Sequence, residues 1–304
     1  MYKVVILGSN SQISKDIIIK FYRKKFNLFL FSSNKKNLIK WLKQNELSRN
    51  IKVLDYSKFG KENYNLIINF IGSSDPNKTN NLTKLDYDIY NKYDDMVLNF
   101  LKINPSCKYI FISSGIIYKS EKLRFLNLSF SLSTFLRNKT YWYKKTKIDI
   151  ENKHRNFSDR SIVDLRIYSY VGQNIDLASE LFLSQIIRAI RKSITVEVSP
   201  INFRRDYLHE DDLFNIIQKI IETKRLNMPL DCFSRKPVEK FTLLENLKLK
   251  YNLKYIVKSK NLFKKKILTD NYFSLNRDAN QIGYNPKFNS EDGIMDILKK
   301  IQNG

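Results

Sequence analysis

Short apolar runs alternate with longer amphipathic stretches through the first half of the chain. Residues 3–7, Lys-Val-Val-Ile-Leu, stop at Gly8. An apolar run of that length closed by glycine predicts a buried parallel strand. A mostly polar stretch, Ser9-Asn10-Ser11-Gln12-Ile13-Ser14, follows, and then Ile17, Ile18, Ile19, Phe21 and Tyr22 recur at spacings that fit a buried helix. Strand, tight turn and helix N-terminus in this order make a site suited to a pyrophosphate. Further strands are predicted at 27–31, at 52–54 before Asp55, at 66–71 before Gly72 and at 109–112 before Ser113. Helical patterns over 35–48 and 86–102 separate them, so the fold class is α/β with a doubly wound parallel sheet.

Two positions carry candidate chemistry on a further helical stretch. Tyr143 and Lys147 stand at i and i+4 and share one helix face. A fixed ammonium there is expected to lower the phenol's pKa and fit it for proton exchange with a hydroxyl. Tyr141 and Lys145 repeat the spacing two residues earlier, and the spacing alone describes a solvated helix face equally well.

The opening turn is short of glycine. Gly8 is present, but Ser11 and Ser14 occupy the later positions where close approach to phosphate and tight helix packing favour glycine. The second strand ends at Ser32, with Lys35 and Lys36 just beyond and no carboxylate to hold a ribose. That pattern favours NADP modestly over NAD.

With these marks the chain resembles the extended short-chain dehydrogenase/reductases, in particular the NAD(P)-dependent nucleotide-sugar epimerases, dehydratases and ketoreductases. The matching segments run in order: Gly8, Asp55, Ile71-Gly72, Ser113-Ser114-Gly115-Ile116-Ile117-Tyr118, and Tyr143 to Lys147 with Thr146 and Glu151. Leu165-Arg166 through Ser169 to Gly172, Arg205-Asp206-Tyr207-Leu208-His209 and Ile282-Gly283-Tyr284-Asn285-Pro286 complete the series. Thr146 and Glu151 favour the Tyr143 frame over the Tyr141 frame, which has Lys144 and Asp149 in those places. The resemblance implies a Rossmann-type domain over 1–165 and a smaller C-terminal substrate-binding lobe over 166–304, with residues near 203–222 returning to the first domain.

It also implies roles. Ser114, Tyr143 and Lys147 are the expected catalytic group. Gly8, Ser11, Gln12, Ile13, Ser32, Lys35, Asp55, Ile71 and Gly72 are expected to bind NAD(P), together with Tyr143 and Lys147. Ser114, Ser169 and Arg205 are expected to contact the nucleotide sugar, although Ser169 stands where the family has Asn. Gly115-Ile116 replaces the Asp-Glu pair of the 4,6-dehydratases, which disfavours dehydration and leaves 4-ketoreductase or 4-epimerase, in surface polysaccharide biosynthesis. A catalytically degenerate Rossmann protein that binds a nucleotide or an anionic partner is the alternative.

Composition adds little. In 304 residues, 54 Lys and Arg against 30 Asp and Glu give a net charge of +24, which raises nucleic acid or an anionic surface as partners. The lysines are dispersed, so no nucleic-acid partner is expected, and the densest run, 258–266, reads as a solvated face. No run reaches the roughly 20 apolar residues of a membrane span. Cys107 and Cys232 read as buried thiols, and the two histidines are too few for a His-based metal site. A cytoplasmic location, no metal and compatibility with a homodimer are the corresponding expectations. The polar stretch 73–84 and the segment 119–140 are the expected rims of the site.

Overall fold

The computed structural model describes residues 2–47, 49–72, 82–118, 141–259 and 271–303. Most of the expected rims (73–81 and 119–140) and the last part of the basic run (260–266) lie outside them. The chain forms two compact units, Met1–Arg166 with Ile217–Leu230, and Ile167–Ile216 with Asp231–Gly304.

A seven-stranded sheet dominates the first unit. Its strands are β1 (Lys3–Leu7), β2 (Asn27–Phe31), β3 (Ile51–Leu54), β4 (Leu66–Asn69), β5 (Lys108–Ser114), β6 (Ile162–Ile167) and, later in the chain, β9 (Asn227–Asp231). They lie in the order β9-β6-β5-β4-β1-β2-β3. The pairs of β1 with β2 and β4, of β2 with β3 and of β4 with β5 are all parallel. Four helices alternate with them: α1 (Gln12–Arg23), α2 (Lys35–Gln44), α3 (Lys84–Ile103) and α4 (Tyr141–Arg155). The order reverses at β1, where strands run outward on either side, and in such sheets the crevice at the carboxyl ends receives the ligand.

Local sequence explains the elements. Val4 to Leu7 are all buried, as a strand covered on both faces requires. On α1 the buried residues Ser14, Ile17, Ile18 and Phe21 follow helical spacing. One layer of the core joins Val5, Leu7, Phe29, Phe31 and Ile67 to Val97, Leu98 and Leu101 of α3 and Ile150 of α4. Each such apolar side chain stabilises by roughly 1.5–3 kcal/mol when fully buried.

Two boundaries differ from the expected ones. β4 ends at Asn69, earlier than the apolar run to Ile71 suggested, because the Asn69 Oδ1 accepts the Ile71 N–H at 2.9 Å and turns the chain. The returning segment is Ile217–Leu230, whereas 203–216 belong to the second unit. β9 extends the sheet beside β6, and Lys108 Nζ caps the carbonyls of Ile220 and Ile221 at 2.9 and 2.7 Å. Those contacts, which no local pattern encodes, fix the return.

The second unit has its own core of Leu183, Ile186, Ile187, Leu243, Leu244, Leu247, Ile294, Ile297 and Leu298. They come from α5 (Phe182–Lys192), α7 (Lys240–Tyr251) and α8 (Ser290–Asn303). α6 (Glu210–Glu222) runs from the second unit into the returning segment of the first. Short strands β7 (Ser169–Val171) and β8 (Tyr207–His209) pair in parallel. No described helix is long and apolar enough to cross a membrane.

Gly8 and Gly60 separate two requirements for glycine. Both have positive φ, +73° and +78°. A Cβ on Gly8 would stand 2.8 Å from the Phe70 carbonyl carbon, whereas one on Gly60 would meet only Phe100 at 3.6 Å. Gly60→Ala should therefore lose only the left-handed preference, about 1 kcal/mol. Gly8→Ala should lose a further 1–3 kcal/mol, roughly the cost of overpacking. Urea unfolding of the two variants measures the difference, and equal losses would remove the close-approach explanation.

Candidate active site

The candidate residues of the first unit gather where its strands end. Gly8 follows β1, Ser32 follows β2, Asp55 follows β3, Ile71 and Gly72 lie just past β4, and Ser114 closes β5. Because these strands are parallel, the positions share one edge of the sheet.

The serine-rich turn closes on its own hydroxyls. Ser11 is the N-cap of α1 at φ −69°, a conformation that requires no glycine, and its Oγ accepts the Ser14 N–H at 3.1 Å. The buried Ser14 Oγ points at the carbonyls of Gly8 and Ser11, 3.1 and 2.8 Å away. Gly8 N–H donates to the Tyr56 hydroxyl at 3.1 Å. Gln12 and Ile13 open the helix, half-buried. The turn thus keeps its shape with serine in both later glycine positions. A Cβ on Gly8 would collide with the Phe70 and Ile71 backbone, so glycine is required where the turn after β1 presses against the turn after β4.

The ends of β2 and β3 are polar, with their charges paired. Ser32 is buried, and its Oγ accepts from Asn10 Nδ2 at 2.5 Å and from the Asn34 N–H at 3.0 Å. Lys35 Nζ lies 2.5 Å from Asp55 Oδ2. Two residues expected to touch different parts of the cofactor therefore touch one another.

α4 carries Tyr143 and Lys147 toward the ends of β4 and β5. Lys147 is only 4% exposed. Its Nζ donates to the Ile112 carbonyl at 2.7 Å and lies 4.4 Å from the Phe111 ring centroid and 5.8 Å from that of Tyr143. A Cβ on Gly72, at φ +134°, would be 3.7 Å from the same Nζ. Burial pulls the Lys147 pKa down to about 8, against the pull of Glu151, Asp164 and Asp94. Tyr143 is hydrogen-bonded to Ser114. The expectation that lysine lowers this phenol's pKa is corrected: burial raises it, and the Ser114 hydrogen bond opposes the rise.

The rival pair points elsewhere. Lys145 Nζ is held by Asp149 at 2.6 Å and lies over the Tyr87 ring, while Tyr141 packs edge-on to Trp142.

Glu151, one turn beyond Lys147, has a positioning role that its motif position alone did not reveal. It accepts from Ser113 Oγ at 2.5 Å and from Arg166 Nε and Nη2 at 3.1 and 2.5 Å. Arg166 Nη1 in turn donates to the Tyr118 hydroxyl at 2.5 Å. A bidentate guanidinium bond of this kind fixes both partners, so β6, α4 and the residue preceding Ser114 are held as one.

Ser169 and Arg205 belong to the second unit. Ser169 is in register with Tyr207, and its N–H donates to the Asp206 carbonyl at 3.1 Å. The Arg205 guanidinium lies 4.5 Å from the Phe203 ring centroid, and its charge opposes the rise that burial gives the Tyr207 pKa. They are near neighbours on their own unit.

Sequence reasoning missed one buried group, His154 with Asp94 and Asp164. The available signal was Asp164, a carboxylate inside the apolar strand Ile162 to Ile167.

Residues 4–229 match the profile of the NAD dependent epimerase/dehydratase family. No curated protein matches the sequence. Among solved structures, a UDP-glucose 4-epimerase with UDP-glucose from Thermotoga maritima is similar at 15% identity and a TM-score of 0.77, covering 99% of both chains. A UDP-glucose 4-epimerase from Stenotrophomonas maltophilia, with NAD and formylated UDP-arabinopyranose, matches at 13% identity and 0.77, over 100% of this chain and 98% of the other. A dTDP-glucose 4,6-dehydratase from Bacillus anthracis with NAD matches at 14% and 0.72, over 100% and 97%. At these identities the structures share the fold.

The lowered pKa makes Lys147 a source of instability. The unfolded chain keeps this proton to about its ordinary 10.5, the folded chain only to about 8. Folding thus pays to bury the charge below pH 8 and is relieved of that penalty between 8 and 10.5, so this group's contribution to stability rises with pH. Lys147→Met should stabilise the fold at pH 7 by up to roughly 3 kcal/mol less one lost hydrogen bond, and the gain should shrink by pH 10. Urea unfolding at the two values tests it; a gain that grows with pH would reverse the sign.

Proposed function

This chain belongs to the NAD-dependent epimerase/dehydratase family, and we propose that it is a nucleotide-sugar 4-ketoreductase or 4-epimerase. The observation that carries the reading is the meeting of Ser114, Tyr143, Lys147 and Gly72 at the sheet edge that Gly8 opens.

The residues present fit a dinucleotide. The Gly8 cradle and the N-terminus of α1 receive the diphosphate, Ser11, Gln12 and Ile13 line that turn, Ser32 and Lys35 face the adenosine ribose, Asp55 the adenine, and Ile71 and Gly72 the inner half. When bound, nicotinamide exchanges hydride with the sugar carbon. Tyr143 moves the proton at the sugar oxygen, and Ser114 holds that oxygen through the hydroxyl it shares with the phenol. Lys147 directs its remaining N–H groups to the nicotinamide ribose. Arg205 grips the substrate diphosphate, and Ser169 takes the place of the family's sugar-binding Asn. Gly115 and Ile116, in the turn after β5, have no side chain that transfers a proton, which supports a reaction without dehydration. Surface polysaccharide supply in the cytoplasm fits such a product.

A raised phenol pKa suits the reductive direction, because Tyr143 stays protonated at neutral pH and acts as the acid. NADPH is the cofactor we favour, by a small margin. A 2′-phosphate must draw Lys35 away from Asp55, and exposed pairs of this kind differ little in energy.

Turnover, variant kinetics and dinucleotide binding decide the reading. Purified protein is incubated with a panel of UDP- and dTDP-sugars and their 4-keto forms, with NADPH or NADH; turnover of none of them would sink it. Tyr143→Phe should lower turnover by about 10²–10⁴-fold with dinucleotide affinity nearly intact, while Tyr141→Phe is close to neutral; the reverse order would assign the chemistry to the other frame. Lys147→Met should weaken both dinucleotide binding and turnover. NADPH should bind no more than about fivefold tighter than NADH, and Asp55→Asn should widen that ratio by freeing Lys35; tighter NADH binding would overturn the preference.

A further inference from the structure

The end of β4 is joined to a buried polar chain that the reaction does not use. Asn69 is 1% exposed, and while its Oδ1 holds the Ile71 N–H, its Nδ2 donates to the Tyr109 hydroxyl at 3.0 Å. Tyr109 has a single proton and gives it to Asp94 Oδ1 at 2.9 Å. Only lone pairs remain to face Asn69, so the amide nitrogen must point at Tyr109 and the oxygen at Ile71.

The chain continues inward. Asp94 Oδ1 meets His154 Nε2 at 2.8 Å, His154 Nδ1 meets Asp164 Oδ1 at 2.6 Å, and Arg155 Nη2 meets Asp164 Oδ2 at 2.6 Å. Lys153 lies 2.9 Å from the other Asp94 oxygen. Burial opposes charge on His154, but Asp164 and Asp94 outweigh it and raise its pKa to about 9. The imidazolium therefore donates from both nitrogens and fixes both carboxylates.

Stability is a poor explanation for this arrangement, since burying such ions costs several kcal/mol each before their attraction is counted. Direction is a better one. The turn whose geometry the chain sets, Phe70 to Gly72, is wedged between Gly8 on one side and Lys147 on the other. A small rotation of Ile71 would therefore shift both walls.

We propose that the buried chain from Asp164 through His154, Asp94 and Tyr109 to Asn69 is a positioning network for the turn Phe70–Gly72, and through it for the bound dinucleotide. It rests on the dinucleotide-binding reading above. Tyr109 and Asn69 are its working links, and none of the five touches the reacting atoms.

Hydrogen exchange of the ligand-free protein and dinucleotide affinity test it together, with Tyr109→Phe, Asn69→Ala and the double variant. The Ile71 amide should exchange at least about tenfold faster in each single variant, with β1 and β5 amides unchanged. NADPH should bind about fivefold more weakly in each, the scale of one neutral hydrogen bond, and no more weakly in the double variant, because both substitutions break one path. Asn69→Ser leaves Tyr109 and Asp94 bonded; should Tyr109→Phe not fold, it must show the same Ile71 acceleration. Unchanged Ile71 exchange, or losses in affinity that add, would overturn the network. If the wild type binds neither dinucleotide, the functional reading fails, and Ile71 exchange alone decides the positioning.

Discussion

The backbone of Gly8 passes the backbone of Phe70 and Ile71 so closely that no side chain fits between them. That approach is the constraint on which the site depends. It brings the turn after β1 against the turn after β4, whose Gly72 lies beside Lys147 of α4. Positive φ at Gly8 and at Gly72 gives the two turns their direction. Elsewhere in the opening turn, serine suffices, because Ser11 is extended and Ser14 satisfies its hydroxyl within the turn.

Around that contact the chain spends stability on placement. Lys147 is buried with its charge opposed by desolvation, a state that costs free energy. Glu151 and Arg166 form a nearly buried pair, with side-chain exposures of 8% and 15%. Such a pair adds little stability over an apolar substitute but loses much when half of it is removed. Its value lies in tying β6, α4 and Ser113 to one geometry, one residue away from Ser114.

The phenol illustrates how a tertiary environment overrides a local rule. One turn of helix places an ammonium near Tyr143, and the simple electrostatic expectation is a lowered pKa. The burial that orients both groups also removes water from them, and desolvation prevails: the phenol rises and the lysine falls. Each group then disfavours its charged form, and for the phenol that means keeping the proton a donor needs.

Much of the first unit was legible in the sequence, because strand and helix periodicity and the glycines that end strands are local properties. Strands 3–7 and 27–31 agree with the observed elements, and the ordered motifs pointed to the sheet edge where Gly8, Gly72, Ser114, Tyr143 and Lys147 lie. Tertiary structure alone decided the rest. The pairing of Lys35 with Asp55, the return of Ile217–Leu230 to the sheet and the chain from Asp164 to Asn69 join residues distant in sequence. No periodicity records which buried carboxylate will face which imidazole. That choice follows from the packing of α3, α4, β5 and β6 around one another, where a buried polar atom must find its partner or lose the free energy of its solvation.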